Sequence, residues 1–123
     1  MDQLFDFLHS LGGLHDAIVI SINWRIESNT LEVILDDLYA NFRGFPEYPG
    51  RQSGVIKFQG TSKVDFNVDS SERLKIFEIL PMEGCANEVI AKFSPSGTLS
   101  IRFASATYPT NALKDTPRDI ATK

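Results

Sequence analysis

The chain has 123 residues, 12 Lys and Arg against 16 Asp and Glu, and a formal charge of −4. Apolar residues make up 42% and charged residues 23%, the balance of an ordinary globular domain, and this length fits one domain rather than two. Nine Phe, three Tyr and one Trp argue against disorder, and the acidic balance argues against a general nucleic-acid binder, because its mean field repels phosphate.

Taken in chain order, the first element is a helix. Leu4, Leu8 and Leu11 recur at helical spacing, with Phe5 and Phe7 beside them, and Gly12-Gly13 supplies a stop. A helix this short does not stand alone, so its apolar stripe must dock. From Ala17 the period changes to two. Ile18, Ile20, Ile22, Trp24 and Ile26 alternate with Val19, Ser21, Asn23, Arg25 and Glu27, which predicts a strand with one dry face. Ser28-Asn29 is a turn signal, and Leu31, Val33 and Leu35 resume the alternation as a hairpin partner.

Residues 41–53 break the pattern, with Pro46, Pro49, Gly44 and Gly50 in one stretch. Period two returns at Ile56 and Phe58, and again at Val64, Phe66 and Val68, with Gly60-Thr61-Ser62 read as a hairpin link. Residues 72–80 fit a strand better than a helix that Asp69 or Ser70 would cap. Val89, Ala91 and Phe93, the turn Ser94-Pro95-Ser96-Gly97, and Leu99, Ile101 and Phe103 make a further hairpin. After Tyr108 the period is lost, and residues 109–123 read as a flexible tail outside a single domain over 1–108.

About seven short strands and one N-terminal helix, without strand–helix alternation, predict a mainly β fold. The expected form is an antiparallel β-sandwich or half-open barrel, with the helix at one end or face. A single sheet covered by the helix is the alternative. Such sheets expose edges, so a homo-oligomer joined through strand edges is one expected assembly.

No apolar run reaches the roughly 20 residues of a membrane span, and the acidic Met1-Asp2-Gln3 start lacks a basic leader. Cys85 is the only cysteine, which with these features predicts a reducing cytoplasm. Nucleotide and dinucleotide loops and the serine hydrolase elbow are absent, so no cofactor is expected. Asp65-x-Asn67-x-Asp69 opens like a calcium loop but places Ser70 where Gly belongs and Ile76 where a bidentate Glu belongs. Asp36-Asp37 reads as a solvated strand end, and Cys85 as a small residue in a loop.

Two constellations remain. His15-Asp16 sits between the helix stop and the first strand, where a histidine beside a carboxylate serves as a base or metal ligand. Adjacent side chains on an extended chain diverge, however, and local hydrogen bonding in a turn explains both residues. No further histidine except His9 is available as a ligand, so no metal is expected. The second constellation is the loop 41–53, where Phe42, Arg43, Phe45, Tyr48 and Arg51 cluster on a proline-stiffened segment. Aromatic and Arg residues dominate interface hot spots, which makes this loop the candidate partner surface. The competing reading has the same aromatics tucked over an open end of the sandwich.

Leu14-His15-Asp16-Ala17, the long alternating strand after it, and the return Asn29-Thr30-Leu31-x-Val33-x-Leu35 resemble small bacterial β-rich proteins that open with a Leu-His-Asp-(Ala/Ser) element. Gly54-Val55-Ile56-x-Phe58 and Leu99-x-Ile101-x-Phe103 are similar in style. Some such families are immunity proteins of polymorphic toxin systems. The proteins it resembles have no assigned enzyme activity, so the resemblance transfers no catalytic role and marks only His15 and Asp16 as positions of interest. Together these readings predict a non-catalytic cytoplasmic module that binds another protein. Charge complementarity to an acidic chain makes that partner basic. A small hydrolase or metal-dependent enzyme centred on His15 and Asp16 is the alternative.

Overall fold

Period-two alternation is realised as eight strands in the computed structural model, which describes residues 2–69, 73–82, 84 and 87–109. In chain order they are β1 (Val19–Arg25), β2 (Thr30–Leu35), β3 (Gly54–Gln59), β4 (Lys63–Asn67), β5 (Lys75–Pro81), β6 (Glu88–Ser94), β7 (Thr98–Arg102) and β8 (Ser105–Thr107). They form two antiparallel four-stranded sheets, one ordered β1-β2-β3-β8 and the other β4-β7-β6-β5. The architecture is a β-sandwich not closed into a barrel. The tail expected beyond Pro109 and the loop residue Cys85 lie outside the described residues.

Helix α1 (Asp2–Ser10) buries Leu4, Phe7 and Leu8, and Leu11 follows it into the same core. The Phe7 ring lies 4.5 Å from that of Tyr108, which ties the helix to the end of the last strand. The inner faces of the sheets meet through Leu31, Val33, Leu35, Ile56 and Phe58 on one side. Ile76, Val89, Ala91, Phe93, Leu99 and Ile101 stand on the other. Between these faces an apolar cavity of about 30 Å³ remains, lined by Val33, Ile56, Phe58, Ile79, Ala91 and Ile101 among others.

Backbone hydrogen bonds stitch the sheets together at two corners. At one, Gln59 accepts from the Ala104 amide at 2.9 Å and Arg102 accepts from Ser62 at 2.9 Å. The chain pairs β3–β4 and β7–β8 thus cross from sheet to sheet side by side. Gly60-Thr61-Ser62 is this corner, not a hairpin. β3 pairs with β2 and β8, whereas β4 pairs with β7. The same glycine-led turn chemistry serves a reversal or a corner, and only the distant partners distinguish them. At the other corner, a bridge joins Ile18 to Lys75, and the Ile76 amide donates to Ala17 at 2.8 Å.

β1 departs from the alternation read from the sequence. A bulge between Val19 and Ser21 shifts its phase. Val19 and Ile22 pack on the core, while Ile20 is 60% exposed. Trp24 lies opposite Leu31, which is fully buried, yet is itself 50% exposed. Phe66 repeats this on β4, facing buried Leu99 while 51% exposed. Both aromatics sit on edge strands, where the inward row runs past its cover. Residues 75–81 form a strand, as their β-rich setting predicts, and Phe77 is the exposed residue of its bulge.

Two successive glycines after α1 separate backbone from packing requirements. Gly12 (φ 67°) and Gly13 (φ 71°) both occupy the left-handed region. A Cβ at Gly12 would overlap the Asn41 side chain, whereas one at Gly13 meets nothing within 4 Å. Gly13→Ala should cost about 1–2 kcal/mol for the backbone alone. Gly12→Ala should cost more, because Asn41 must also move, and urea unfolding of the two variants measures the difference.

Candidate functional site

β2 ends in Leu35, and the next two residues, Asp36 and Asp37, are among the most enclosed polar groups described. Asp36 is 9% exposed and Asp37 is fully buried. The solvated strand end expected from sequence is therefore corrected. These carboxylates face inward because the chain folds back over them and supplies enough donors to replace water.

Asp36 holds the start of β1. Its Oδ1 accepts from the Ile18 amide at 2.8 Å, and its own amide donates to the Ile18 carbonyl at 3.0 Å. Asp37 holds the loop. Its Oδ1 accepts from the amides of Tyr39 at 3.0 Å and Gln52 at 3.2 Å. Its Oδ2 accepts from the Tyr48 hydroxyl at 2.6 Å and from Arg43 Nε at 3.2 Å. Four acceptor sites of one carboxylate are thereby used. The Leu38 amide also donates to the Gln52 carbonyl at 2.8 Å, so both ends of the loop are tied at one point. Arg43 Nη2 reaches Asp36 Oδ2 at 3.4 Å, and Arg51 Nη2 approaches the same oxygen at 3.8 Å. Burial pushes the Asp37 carboxyl up. The hydrogen bonds from Tyr48, from the amides of Tyr39 and Gln52, and from Arg43 outweigh it and hold the group below the usual carboxylate value.

The five loop residues singled out from sequence divide between two jobs. Phe42 and Tyr48 are half-buried and pack against the core, and Phe42 lies 6.5 Å from the Tyr39 ring. Arg43 is committed to the aspartates. Phe45 is 58% exposed and the Arg51 side chain 73% exposed, so these two face solvent. The tucked-aromatic reading describes Phe42 and Tyr48, and the presented-surface reading describes Phe45 and Arg51.

His15 and Asp16 do meet, contrary to the expectation that neighbours on an extended chain diverge. Asp16 adopts φ 72°, which turns its carboxylate back to within 3.6 Å of His15 Nε2. His15 Nδ1 donates to the Phe77 carbonyl at 3.0 Å, and the Phe77 ring stands edge-on to the imidazole at 5.9 Å. The pair thus docks the turn after α1 onto the bulge of β5. Both side chains are open to solvent, at 42% and 54%. Among the described residues no group of three or more His, Cys, Asp or Glu is placed to hold a metal.

A third buried carboxylate had no local signature. Glu88 is 1% exposed although its neighbours Val89, Ala91 and Phe93 claim the inner face of β6. Arg102 grips it from β7 through Nε at 3.1 Å and Nη2 at 3.0 Å, and Lys63 Nζ approaches from β4 at 3.5 Å. Burial raises this group, but the Arg102 hydrogen bond and the Lys63 charge prevail and lower it. The three residues share one cross-strand row, which only the β4-β7-β6 register creates.

No protein-family model matches this chain, and no curated protein matches it either. No helix among the described residues is long and apolar enough to cross a membrane.

Asp37→Asn should destabilise the fold by about 3 kcal/mol or more, since its amide NH2 would face two of the four donors that the buried carboxylate now satisfies. Tyr48→Phe should cost about 1–3 kcal/mol, the range for a lost hydrogen bond to a charge. Phe45→Ala should stay within about 0.5 kcal/mol, as surface changes do. Urea midpoints of the three variants test this order.

Asp37 and Glu88 have folded-state values below their unfolded ones. Their stabilisation is complete above the unfolded carboxylate range, about pH 4, and is lost as pH falls through it toward the lower folded values. Thermal midpoints should therefore hold steady from neutral pH down to that range and then fall. The fall should be shallower in Asp37→Asn, which has lost one of the two titrating groups.

Proposed function

We propose that this chain is a non-catalytic bacterial module that binds another protein in the cytoplasm, in the manner of an immunity protein. The single observation that carries the reading is the division of labour in the loop 41–53. Asp37 fixes the loop at Tyr39, Arg43, Tyr48 and Gln52, and the loop holds Phe45 in solvent between those anchors. An exposed aromatic on a pre-ordered loop loses little conformational freedom on binding, which is how aromatic anchors become hot spots. The excess of acidic residues favours encounter with a basic partner. The single cysteine suits a reducing compartment. The resemblance around Leu14-His15-Asp16-Ala17 supports the immunity-like class, in which the partner is a toxin. His15 and Asp16 take a positioning role in this reading, because each is accounted for by the contact with β5.

Affinity capture from bacterial lysate, with wild type beside Phe45→Ala, tests the proposal. The expected result is a basic protein retained by wild type and lost in the variant at an unchanged thermal midpoint, with its toxicity neutralised only by wild type. Equal capture by both proteins would remove the loop from the interface. Hydrolytic activity lost in His15→Ala would overturn the non-catalytic reading.

A further inference from the structure

Among the described residues every lysine and arginine lies in an ion pair except Arg73 and Lys75. Shortage of acids is not the cause, because the chain has 16 Asp and Glu against 12 Lys and Arg. The two cations share one face of the chain. They alternate with Leu74 and Ile76, which pack on the core, so both charged side chains point outward at the start of β5. Lys75 stands opposite Ser94 of β6, which puts the Ser94 side chain beside it on the same face. Arg73, Lys75, Ser94 and Pro95 together line an open depression of about 360 Å³. The one acid of β5, Glu78, is taken by Lys92 at 3.4 Å and neutralises neither cation. Like charges placed side by side on one face repel, a cost that an anion seated between them removes.

We propose that this depression binds a small molecule carrying a phosphate monoester. Its oxygens accept from the Arg73 guanidinium, the Lys75 ammonium and the Ser94 hydroxyl. Charge selects phosphate over carboxylate. A monoester carries close to two negative charges at neutral pH and matches both cations, whereas a carboxylate matches one. Its several acceptor oxygens also suit donors that arrive from separate side chains. Size selects an ester over the bare ion. Phosphate alone leaves most of the 360 Å³ empty, and the Pro95 ring supplies an apolar wall for the organic part.

The depression is open and its charges are exposed, so binding is weak and falls with added salt. It contains no residue of loop 41–53 and does not rest on the partner reading above.

Amide NMR titration of the full chain at low ionic strength, with phenyl phosphate, inorganic phosphate and benzenesulfonate as probes, tests the site. Phenyl phosphate should shift the amides of Arg73, Lys75 and Ser94 with a Kd on the order of 1 mM. Inorganic phosphate should shift the same amides and bind several-fold more weakly. Benzenesulfonate, of similar shape but with one charge, should bind about tenfold more weakly than phenyl phosphate. Arg73→Gln and Lys75→Gln should each weaken phenyl phosphate about tenfold, while Lys57→Gln, on the other sheet and paired with Glu32, should bind as wild type does. All three side chains are exposed, so thermal midpoints should stay near that of wild type. No shift at about 20 mM phenyl phosphate, shifts centred on other residues, equal binding of benzenesulfonate, or binding that survives both Arg73→Gln and Lys75→Gln would each overturn the proposal. Inorganic phosphate bound as tightly as phenyl phosphate would overturn the ester as its ligand.

Discussion

The carboxylate of Asp37 is the constraint on which the loop side of the molecule depends. Buried without partners, an ionised carboxylate is not tolerated, so the chain around it must supply donors before the core can close. It does so from four positions spread over residues 39 to 52, and each donor fixes a different part of the loop. The proline-stiffened segment is thereby ordered from its base outward. Asp36 extends the same logic to the first sheet by gripping the Ile18 amide, where the chain enters β1 and meets β5. One pair of adjacent acids thus links a loop, a strand end and a sheet corner.

The second sheet uses a comparable device on its outer face. Glu88 is buried against Arg102 and Lys63, whose own side chains are about half exposed. Buried carboxylates on both sheets make the fold dependent on ionisation at its two faces. Between them the core is apolar and conventionally packed. Among the described residues the inward rows end in Trp24 and Phe66, each half in solvent.

Much of the architecture was legible in the order of residues. The 4, 8, 11 spacing in the first segment, the alternation in Leu31-Val33-Leu35 and Leu99-Ile101-Phe103, and the Ser94-to-Gly97 turn each specify local geometry through side-chain periodicity. The candidate site was only half legible. Loop 41–53 stood out by its prolines and aromatics, but its division into anchors and presented residues did not. Phe42, Phe45 and Tyr48 are alike in composition and differ only in what stands opposite them. Asp36-Asp37 read as solvated because nothing within the local sequence shows that Tyr48 and Gln52 return to it. Glu88 gave no signal at all, since Lys63 and Arg102 lie on other strands.

The amino-acid sequence by itself determined the β class, the helix and its stop, most strand positions and the location of the irregular loop. These follow from interactions within a few residues, namely backbone sterics at Gly and Pro and the twofold alternation of a strand. Tertiary structure alone decided which strands share a sheet, that Gly60 turns a corner rather than a hairpin, and that a one-residue bulge sends Ile20 outward. It also decided which acids are buried, and that Asp16 turns back onto His15. Each of these depends on a partner distant in sequence or on a single backbone angle, and a free energy that arises only when distant groups meet leaves no mark on the local pattern.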